Sequence, residues 1–301
     1  MRKILLIVSC LMLMVFVEGG MTKNRIIVTG DPRIDLKYEK GEMLDVPLYA
    51  RTVPGVTRVS QTIASKNIPS SYFLDLRGKR NVDTQSWDIT ADWLVLHDNS
   101  SPWQTVGISD ISETNTPTTA GPIAGGRDQV AAFNTNDWIY FFIIYNPSTE
   151  KISSLSSLSA TAPTLPTGYT YFVRVSSSLV GLALRSGRQI GNRIWPDDVV
   201  NTDHVGVAIV TALDISLAIP PTAKSVQGGF GPKENPAAAR DAYVCSSAGV
   251  AAAPQRFHTT AAAYKMMYFD LPVVTAQTIY FYTETNDEDW RVSVYSYEDD
   301  L

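Results

Sequence analysis

The sequence WIYFFIIY, residues Trp138 to Tyr145, is an unbroken run of apolar and aromatic side chains. Successive side chains of a strand point to opposite faces, so such a run indicates a strand that is covered on both faces. We therefore predict that this strand lies near the centre of the protein, and that layered sheets surround it.

Strand patterns rich in aromatic and β-branched residues recur on both sides of this run. Most are bounded by turn formers, such as the Asn146-Pro147-Ser148 sequence that follows it directly. No segment shows the apolar period of a stable α-helix. The predicted fold class is all-β, an antiparallel β-sandwich or jelly-roll-like domain. The other segments with strand patterns are Trp93–His97, Tyr171–Val175, Val205–Val210, Ile215–Ile219, Tyr264–Asp270, Gln277–Thr283 and Trp290–Tyr297.

Two segments depart from simple alternation. In Trp290–Tyr297 the alternation reverses near the end, which predicts either a change in the covered face or a β-bulge. In Ile152–Leu158 an apolar residue recurs at every third position between serines, which predicts a packed connection or an edge rather than a linker.

The composition and charge of the chain exclude several classes of protein. The chain has 301 residues, is 45% hydrophobic and 18% charged, and has a formal net charge of −5, which describes a globular protein rather than a disordered one. An acidic excess disfavours a broad nucleic-acid-binding surface, which would be basic, so we expect no nucleic-acid partner. Cys10 and Cys245 are too few for a disulfide scaffold, and no Cys/His cluster has zinc spacing.

Residues 1–20 have two interpretations. Arg2 and Lys3 precede the apolar run Ile4–Val17, which is shorter than the about 20 residues that a membrane span needs. The segment is either a secretory signal or anchor, or upstream sequence before a true start at Met21.

The rest of the chain divides into two predicted regions. Residues 21–87 carry scattered charge and weak strand patterns, so we predict an extended N-terminal arm or a small β subdomain. Residues 88–301 carry the recurring strand patterns and form the predicted β-sandwich. We expect no membrane contact for the mature domain.

The most distinctive local sequence flanks the central strand. Gly125-Gly126-Arg127-Asp128 precedes it, and A-T-A-P-T-L-P-T-G-Y-T, Ala160 to Thr170, follows it. Residues before proline avoid the α region, so Ala162 and Leu165 hold the backbone extended, and Thr167-Gly168 then provides a turn. The physical interpretation is a rigid crossover between two strands.

These motifs resemble a β-sandwich module of tailed-bacteriophage and prophage virion proteins, found in tail-fibre-like and other minor structural components. The resemblance covers about 88–301 and includes Ile89–Leu96 and the closing Tyr297–Leu301. Arg127 departs from it, since family members often carry an uncharged residue after the two glycines.

The resemblance implies a structural protein of a virion, in its tail, fibre or capsid surface, that is assembled in the host cytoplasm. The implied partners are other virion proteins and copies of the chain itself, as a trimer. Host-surface attachment through a cell-surface glycan is a further expectation.

The polar residues of the chain do not form a recognisable catalytic or metal site. The histidines have no metal spacing among them, and the cluster after Trp195-Pro196 is better explained as a solvated loop. The acidic residues near the last hairpin lack the layout of a calcium loop, so we predict a charged turn. We therefore predict no catalytic residue, no metal and no cofactor, and we assign no binding residue. The three histidines are His97, His204 and His258. The cluster after Trp195-Pro196 contains Asp197, Asp198 and Asp203 with His204, and the acidic residues near the last hairpin are Glu284, Asp287, Glu288 and Asp289.

Aromatic residues leave room for a sugar-stacking surface. Trp87, Trp103 and Trp290 lie next to polar turns and are the candidates for exposed rings, although aromatic residues on strands more often pack in a core. The alternative function is a secreted bacterial carbohydrate-binding adhesin, if residues 1–20 are a real signal. A polysaccharide-degrading enzyme would instead need two carboxylates about 5–10 Å apart in a cleft.

Overall fold

A computed structural model divides the chain into two compact units, Met1–Val59 with Ala64–Ile68, and Ser60–Ile63 with Pro69–Leu301. It describes residues 73–81, 85–100, 104–198, 200–205, 209–232, 240–248, 255–259, 266–284 and 289–301, and the backbone of four earlier strands. In the first unit β1 (Leu13–Phe16), β2 (Lys23–Val28) and β3 (Asp35–Glu39) form an antiparallel sheet. The expected signal or anchor at residues 1–20 falls mostly outside the described residues.

The described residues of the second unit form strands, turns and irregular segments without a helix, which confirms the all-β prediction. The jelly-roll arrangement stays a prediction. Fourteen strands form one antiparallel sheet: β4 (Ser60–Thr62), β5 (Phe73–Leu74), β6 (Arg77–Arg80), β7 (Trp87–His97), β8 (Gln104–Asn115), β9 (Trp138–Asn146), β10 (Lys151–Ser157), β11 (Tyr171–Leu179), β12 (Gly187–Ile190), β13 (Arg193–Pro196), β14 (Val200–Val205), β16 (Ala223–Pro232), β19 (Met267–Pro272) and β21 (Asp289–Asp299). Four strands form the other: β15 (Thr211–Asp214), β17 (Arg240–Cys245), β18 (Gln255–Thr259) and β20 (Thr278–Thr283).

The predicted boundary at residue 88 falls inside this second unit. β5 and β6 pair with β7, and β4 pairs with β8. Strands upstream of residue 88 therefore belong to the same sheet as those downstream of it, and β7 itself begins at Trp87.

The first lobe of the second unit consists of β4–β11. β11 continues the sheet from β7 only where Phe172 pairs with His97, so the layer of β9, β10 and β11 folds over β7 and β8. Trp87 stacks on Phe141 across these layers with ring centroids 5.6 Å apart. The core between the layers includes Ile89, Leu94, Ile108, Ile139, Ile143 and Val173.

Strand β9 is buried along nearly its whole length, from Ile139 to Asn146. Phe141 and Ile143 face the core of the first lobe, whereas Phe142 and Ile144 face a second apolar cluster that includes Leu155. The segments before β9 and after β10 cover that second cluster with Ala124, Leu165 and Tyr169. This confirms the prediction that WIYFFIIY is covered on both faces.

The second lobe is a sandwich of two sheets. The four-stranded sheet, in the order β15-β20-β17-β18, packs against β16, β19 and β21 of the larger sheet. Phe230 on β16 lies at the centre, stacked on Trp290 at 5.0 Å and 5.4 Å from the ring of Phe257. One large face of each sheet is thereby removed from water.

The backbone hydrogen bonds test two local predictions, one for Trp290–Tyr297 and one for Ile215–Ile219. The pairing of β16 with β21 shifts register so that Tyr295 has no partner on β16, and of the two alternatives predicted for Trp290–Tyr297 this is the bulge. The predicted strand at Ile215–Ile219 is wrong. It is a turn, because Asp214 Oδ1 accepts a hydrogen bond from the Ser216 N–H at 2.8 Å, and the Ala218 N–H donates to the carbonyl of Ile215 at 2.8 Å. The apolar residues of this turn are buried, which explains the misleading pattern.

Candidate binding surface

The Gly-Gly-Arg-Asp motif lies against β10, at the edge of the sheet. The Gly125 N–H donates to the carbonyl of Ser154 at 2.7 Å, and the Asp128 N–H donates to the carbonyl of Ser156 at 2.8 Å. Arg127 and Ser156 form a parallel bridge. The motif therefore adds a short parallel segment beside the serine-rich strand, which confirms that Ile152–Leu158 is an edge rather than a linker.

The buried carboxylate of Asp128 joins the two sequence motifs. Its Oδ2 accepts hydrogen bonds from the Ser157 hydroxyl at 2.6 Å and from the Thr164 N–H at 3.1 Å. Thr164 belongs to the proline-containing run after β10, so residues 36 positions apart meet at one oxygen atom. We call this group, Asp128 with Ser157 and Thr164, the Asp128 lock.

Arg127 has a structural role in the same region. Its side chain is buried and donates to the carbonyls of Pro117 at 3.2 Å and Val130 at 2.9 Å. The guanidinium also lies over the ring of Phe133, 5.9 Å from its centroid. These contacts fix the long connection between β8 and β9, so Arg127 stabilises a loop.

The tryptophans proposed for sugar stacking do not face solvent. Trp87 and Trp290 are each 1% exposed and lie in the cores of the first and second lobes, so those two predictions are wrong. Trp103 lies outside the described residues. Proximity to a polar turn misled the prediction, because the face of the strand, not the neighbouring turn, decides where a ring points.

The predicted polar cluster around His204 is divided among separate partners. Asp203 forms a bidentate ion pair with Arg291, in which Arg291 Nε donates to Oδ1 at 2.7 Å and Nη2 donates to Oδ2 at 3.2 Å. Asp197 accepts a hydrogen bond from the hydroxyl of Ser186. Asp198 is exposed in the turn after β13, and the side chain of His204 lies outside the described residues.

The predicted histidine and acidic-turn residues are likewise separated. The His97 ring packs on Phe172 with centroids 4.7 Å apart. Glu284 accepts a hydrogen bond from the Asp241 N–H at 3.2 Å, Asp289 begins β21, and Asp287 and Glu288 lie outside the described residues. Within the described ranges, no group of three or more His, Cys, Asp or Glu side chains could hold a metal ion.

A half-buried aromatic surface lies elsewhere, on the outer side of the four-stranded sheet. Ala242, Val244, Ile279 and Phe281 point into the core of the second lobe, so the residues that alternate with them point outward. Tyr243 and Tyr282 pair across β17 and β20 with ring centroids 5.6 Å apart and planes at 41°. We call this surface the tyrosine face; it consists of Tyr243, Tyr280, Tyr282, Asp241, Arg256 and His258.

Asp241 organises the charged side of the tyrosine face. Its Oδ1 lies 2.8 Å from His258 Nδ1, and its Oδ2 accepts a hydrogen bond from Arg256 Nη2. The Asp241 side chain is 9% exposed, whereas those of Arg256 and His258 are 63% and 61% exposed. Hydrogen bonds from Arg256 and His258 hold the pKa of Asp241 below its usual range. One shielded carboxylate thus positions two side chains that face solvent.

Cys245 lies on the same side of β17 but is not an activated nucleophile. Its side chain is buried, and burial raises the pKa of the thiol. Its Sγ donates to the carbonyl of Ser247 at 3.2 Å. A thiol in this environment stays protonated near neutral pH, so the tyrosine face offers aromatic rings and hydrogen-bond donors rather than a thiolate.

The sequence analysis does not predict the tyrosine face, although the sequence of one of its strands indicates a solvent-facing side. In the segment T-I-Y-F-Y-T, Thr278 to Thr283, Ile279 and Phe281 alternate with Tyr280 and Tyr282. This is the pattern of a strand with one buried and one solvent-facing side. His258 was considered only as a metal ligand. Its actual partner, Asp241, is 17 positions away, and nothing in the spacing indicates the pair.

A buried polar cluster near the C-terminus is structural. Asp299 is fully buried, accepts a hydrogen bond from the Thr222 hydroxyl at 2.5 Å and lies 3.7 Å from Arg174. A cavity of about 10 Å³ beside Tyr297 is large enough for about one water molecule. That cavity therefore lacks the room that an organic ligand would need.

Comparison with known proteins gives no family: the chain matches no protein-family model and no curated protein. Across the described ranges, no helix is both long and apolar enough to traverse a bilayer.

Proposed function

We propose that this protein is a structural component of a phage or prophage virion, in the tail, fibre or capsid surface. It acts by assembly with copies of itself and with other virion proteins, and by attachment to the host surface. The observation that carries the proposal is the Asp128 lock. The two motifs that resemble the virion module meet there at one buried carboxylate, which supports their interpretation as the two parts of one structural crossover.

The packing of the first lobe supports an assembly role. β9 is enclosed on both faces, and aromatic stacking ties it to β7. Interiors packed in this way deform little, which suits a part that must hold its shape under load.

Exposed apolar side chains supply a surface for assembly. Leu182 is fully exposed and Leu217 is half exposed on two loops that Arg185 joins, since Arg185 Nη1 donates to the carbonyl of Leu217 at 2.6 Å. Contiguous patches of exposed apolar residues are typical of protein–protein contacts, and we propose that these two loops contribute to one. For a fibre-like part we propose a trimer.

Mass spectrometry of purified virions, together with light scattering of the purified full chain, tests the proposal. We expect the chain among the virion proteins, a trimer in solution, and tail or capsid genes on either side of its gene. The double variant Leu182→Ser/Leu217→Ser should weaken self-association, whereas Leu158→Ser, at an exposed leucine elsewhere, should not. A strict monomer that is absent from virions contradicts the proposal.

The tyrosine face and residues 1–20 favour a second candidate, a secreted carbohydrate-binding adhesin. It predicts processing between Gly19 and Met21 and recovery of the protein from the culture medium. N-terminal sequencing of the native protein from cell and medium fractions separates the two functions, because retention in the cytoplasm until lysis contradicts secretion.

A further inference from the structure

We propose that the tyrosine face binds an acidic saccharide, with a sugar ring packed on Tyr243 and Tyr282 and a carboxylate held by Arg256. This names the ligand class for the host attachment proposed above, and in that sense it rests on the proposed function. The geometry that carries it belongs to the second lobe alone.

The aromatic part of the face has the size of a sugar subsite. Arg256, Tyr243 and Tyr282 occupy one row across β18, β17 and β20, because Tyr243 pairs with both of the others. Two strand spacings span about 10 Å, the scale of one or two sugar rings. A tyrosine offers its ring to the apolar face of a sugar and its hydroxyl to a neighbouring sugar hydroxyl. Tyr280, two residues before Tyr282 on the same side of β20, extends the platform.

The cationic group of the face is Arg256, which lies beside the carboxylates of Asp241 and Glu284. Arg256 uses its Nη2 on Asp241, and the remaining N–H groups of its solvent-facing guanidinium can form the paired bonds that a carboxylate accepts. Asp241 is shielded and both of its oxygens are engaged, so it anchors the cation without covering it.

The other polar groups around Arg256 complete a sugar-like pattern. His258 directs Nδ1 to Asp241, which leaves Nε2 for a sugar hydroxyl. Glu284 accepts a hydrogen bond from the Asp241 N–H. A polyanion such as nucleic acid is less suitable, because it needs many cationic contacts and the face supplies Arg256 and His258. An acidic peptide would match the same charge, so acidic peptides are the comparison ligands of the test below.

The test is a glycan array that carries sialylated and uronate-containing oligosaccharides beside neutral counterparts and acidic peptides, probed with the full chain. We expect binding to concentrate in the acidic glycans. Calorimetry with the best glycan and its carboxyl-reduced form should then show at least a tenfold loss of affinity on reduction.

Matched variants locate the site. Tyr282→Ala and Arg256→Gln should each weaken binding about tenfold or more, while thermal unfolding stays close to that of the wild type. Tyr268→Ala is the control, since Tyr268 is 58% exposed on β19, in the other sheet. It should bind as the wild type does.

Several results would overturn the inference: no binding to acidic glycans, equal binding of the carboxyl-reduced form, preference for acidic peptides, or equal losses in Tyr268→Ala and Tyr282→Ala. The outcome is distinguishable from that of the proposed function. A chain that is absent from virions but binds acidic glycans at Tyr282 overturns the virion role and leaves this inference intact.

Discussion

The two lobes of the second unit cover their sheets differently. In the first lobe, β9 has the core on one side and the segments around residues 124 and 165 on the other. In the second lobe, the four-stranded sheet is covered on one side and shows the tyrosine face on the other. A sheet that is packed on both faces is more rigid, but none of its side chains can contact a ligand. A sheet that is packed on one face leaves every second side chain facing solvent, where it can bind a ligand.

The carboxylates of the two lobes show the same contrast. Asp128 is buried and bonds Ser157 and the backbone of Thr164, so it stabilises a crossover. Asp241 is also shielded, but it bonds Arg256 and His258, both of which face solvent. A buried acid thus serves the fold in one lobe and positions surface groups in the other.

The largest expected effect comes from breaking the enclosed strand. Phe141→Ala removes a fully buried ring and its stacking on Trp87, so we expect a loss of about 3–5 kcal/mol in the free energy of unfolding. Urea unfolding monitored by Trp fluorescence measures it. A loss below about 1 kcal/mol would contradict a central position for β9.

The next effect concerns the Asp128 lock. Asp128→Ala leaves the Ser157 hydroxyl and the Thr164 N–H without their shared acceptor, which should lower the free energy of unfolding by about 1–3 kcal/mol. Asp128→Asn keeps one acceptor oxygen and is the control. If the two variants unfold alike, the carboxylate does not join the motifs energetically.

A smaller effect depends on pH. The folded pKa of Asp241 lies below its unfolded value of about 3.9, so its pairing stabilises the fold above that pH and is lost as the pH falls through the folded pKa. The difference in unfolding free energy between wild type and Asp241→Asn should therefore be largest near neutral pH and shrink below about pH 4. Urea titrations from pH 7 to pH 3 check this. Asp92→Asn, at an exposed site on β7, controls for the loss of charge.

The smallest effect on stability is expected on the tyrosine face. Tyr282→Ala removes a ring that contacts Tyr243 but leaves the core untouched, so we expect a loss of about 1 kcal/mol or less. Measurement by thermal unfolding beside Phe141→Ala compares the lobes directly. A loss as large as that of Phe141→Ala would mean that the face is part of the structural core.

Some features were predictable because they depend on local pattern. The run from Trp138 to Tyr145 indicates an enclosed strand, and the reversal before Tyr297 indicates either a change of covered face or the bulge that is found at Tyr295. Strand β16 was missed, because its Gly-rich sequence from Gly228 to Gly231 contradicts strand propensity. The glycine fits there because a Cβ at Gly228 would lie 2.2 Å from the carbonyl oxygen of Ser293.

The sequence by itself determined the strand-rich class, the doubly covered β9 and the two motifs around it, because alternation and turn chemistry act over a few neighbouring residues. Only the tertiary structure decided that Trp87 and Trp290 are buried and that Asp241, Arg256 and Tyr282 share one face. Those outcomes depend on which strands pair and which sheet covers them. Pairing is set by burial summed over the whole chain, and no short segment contains that information.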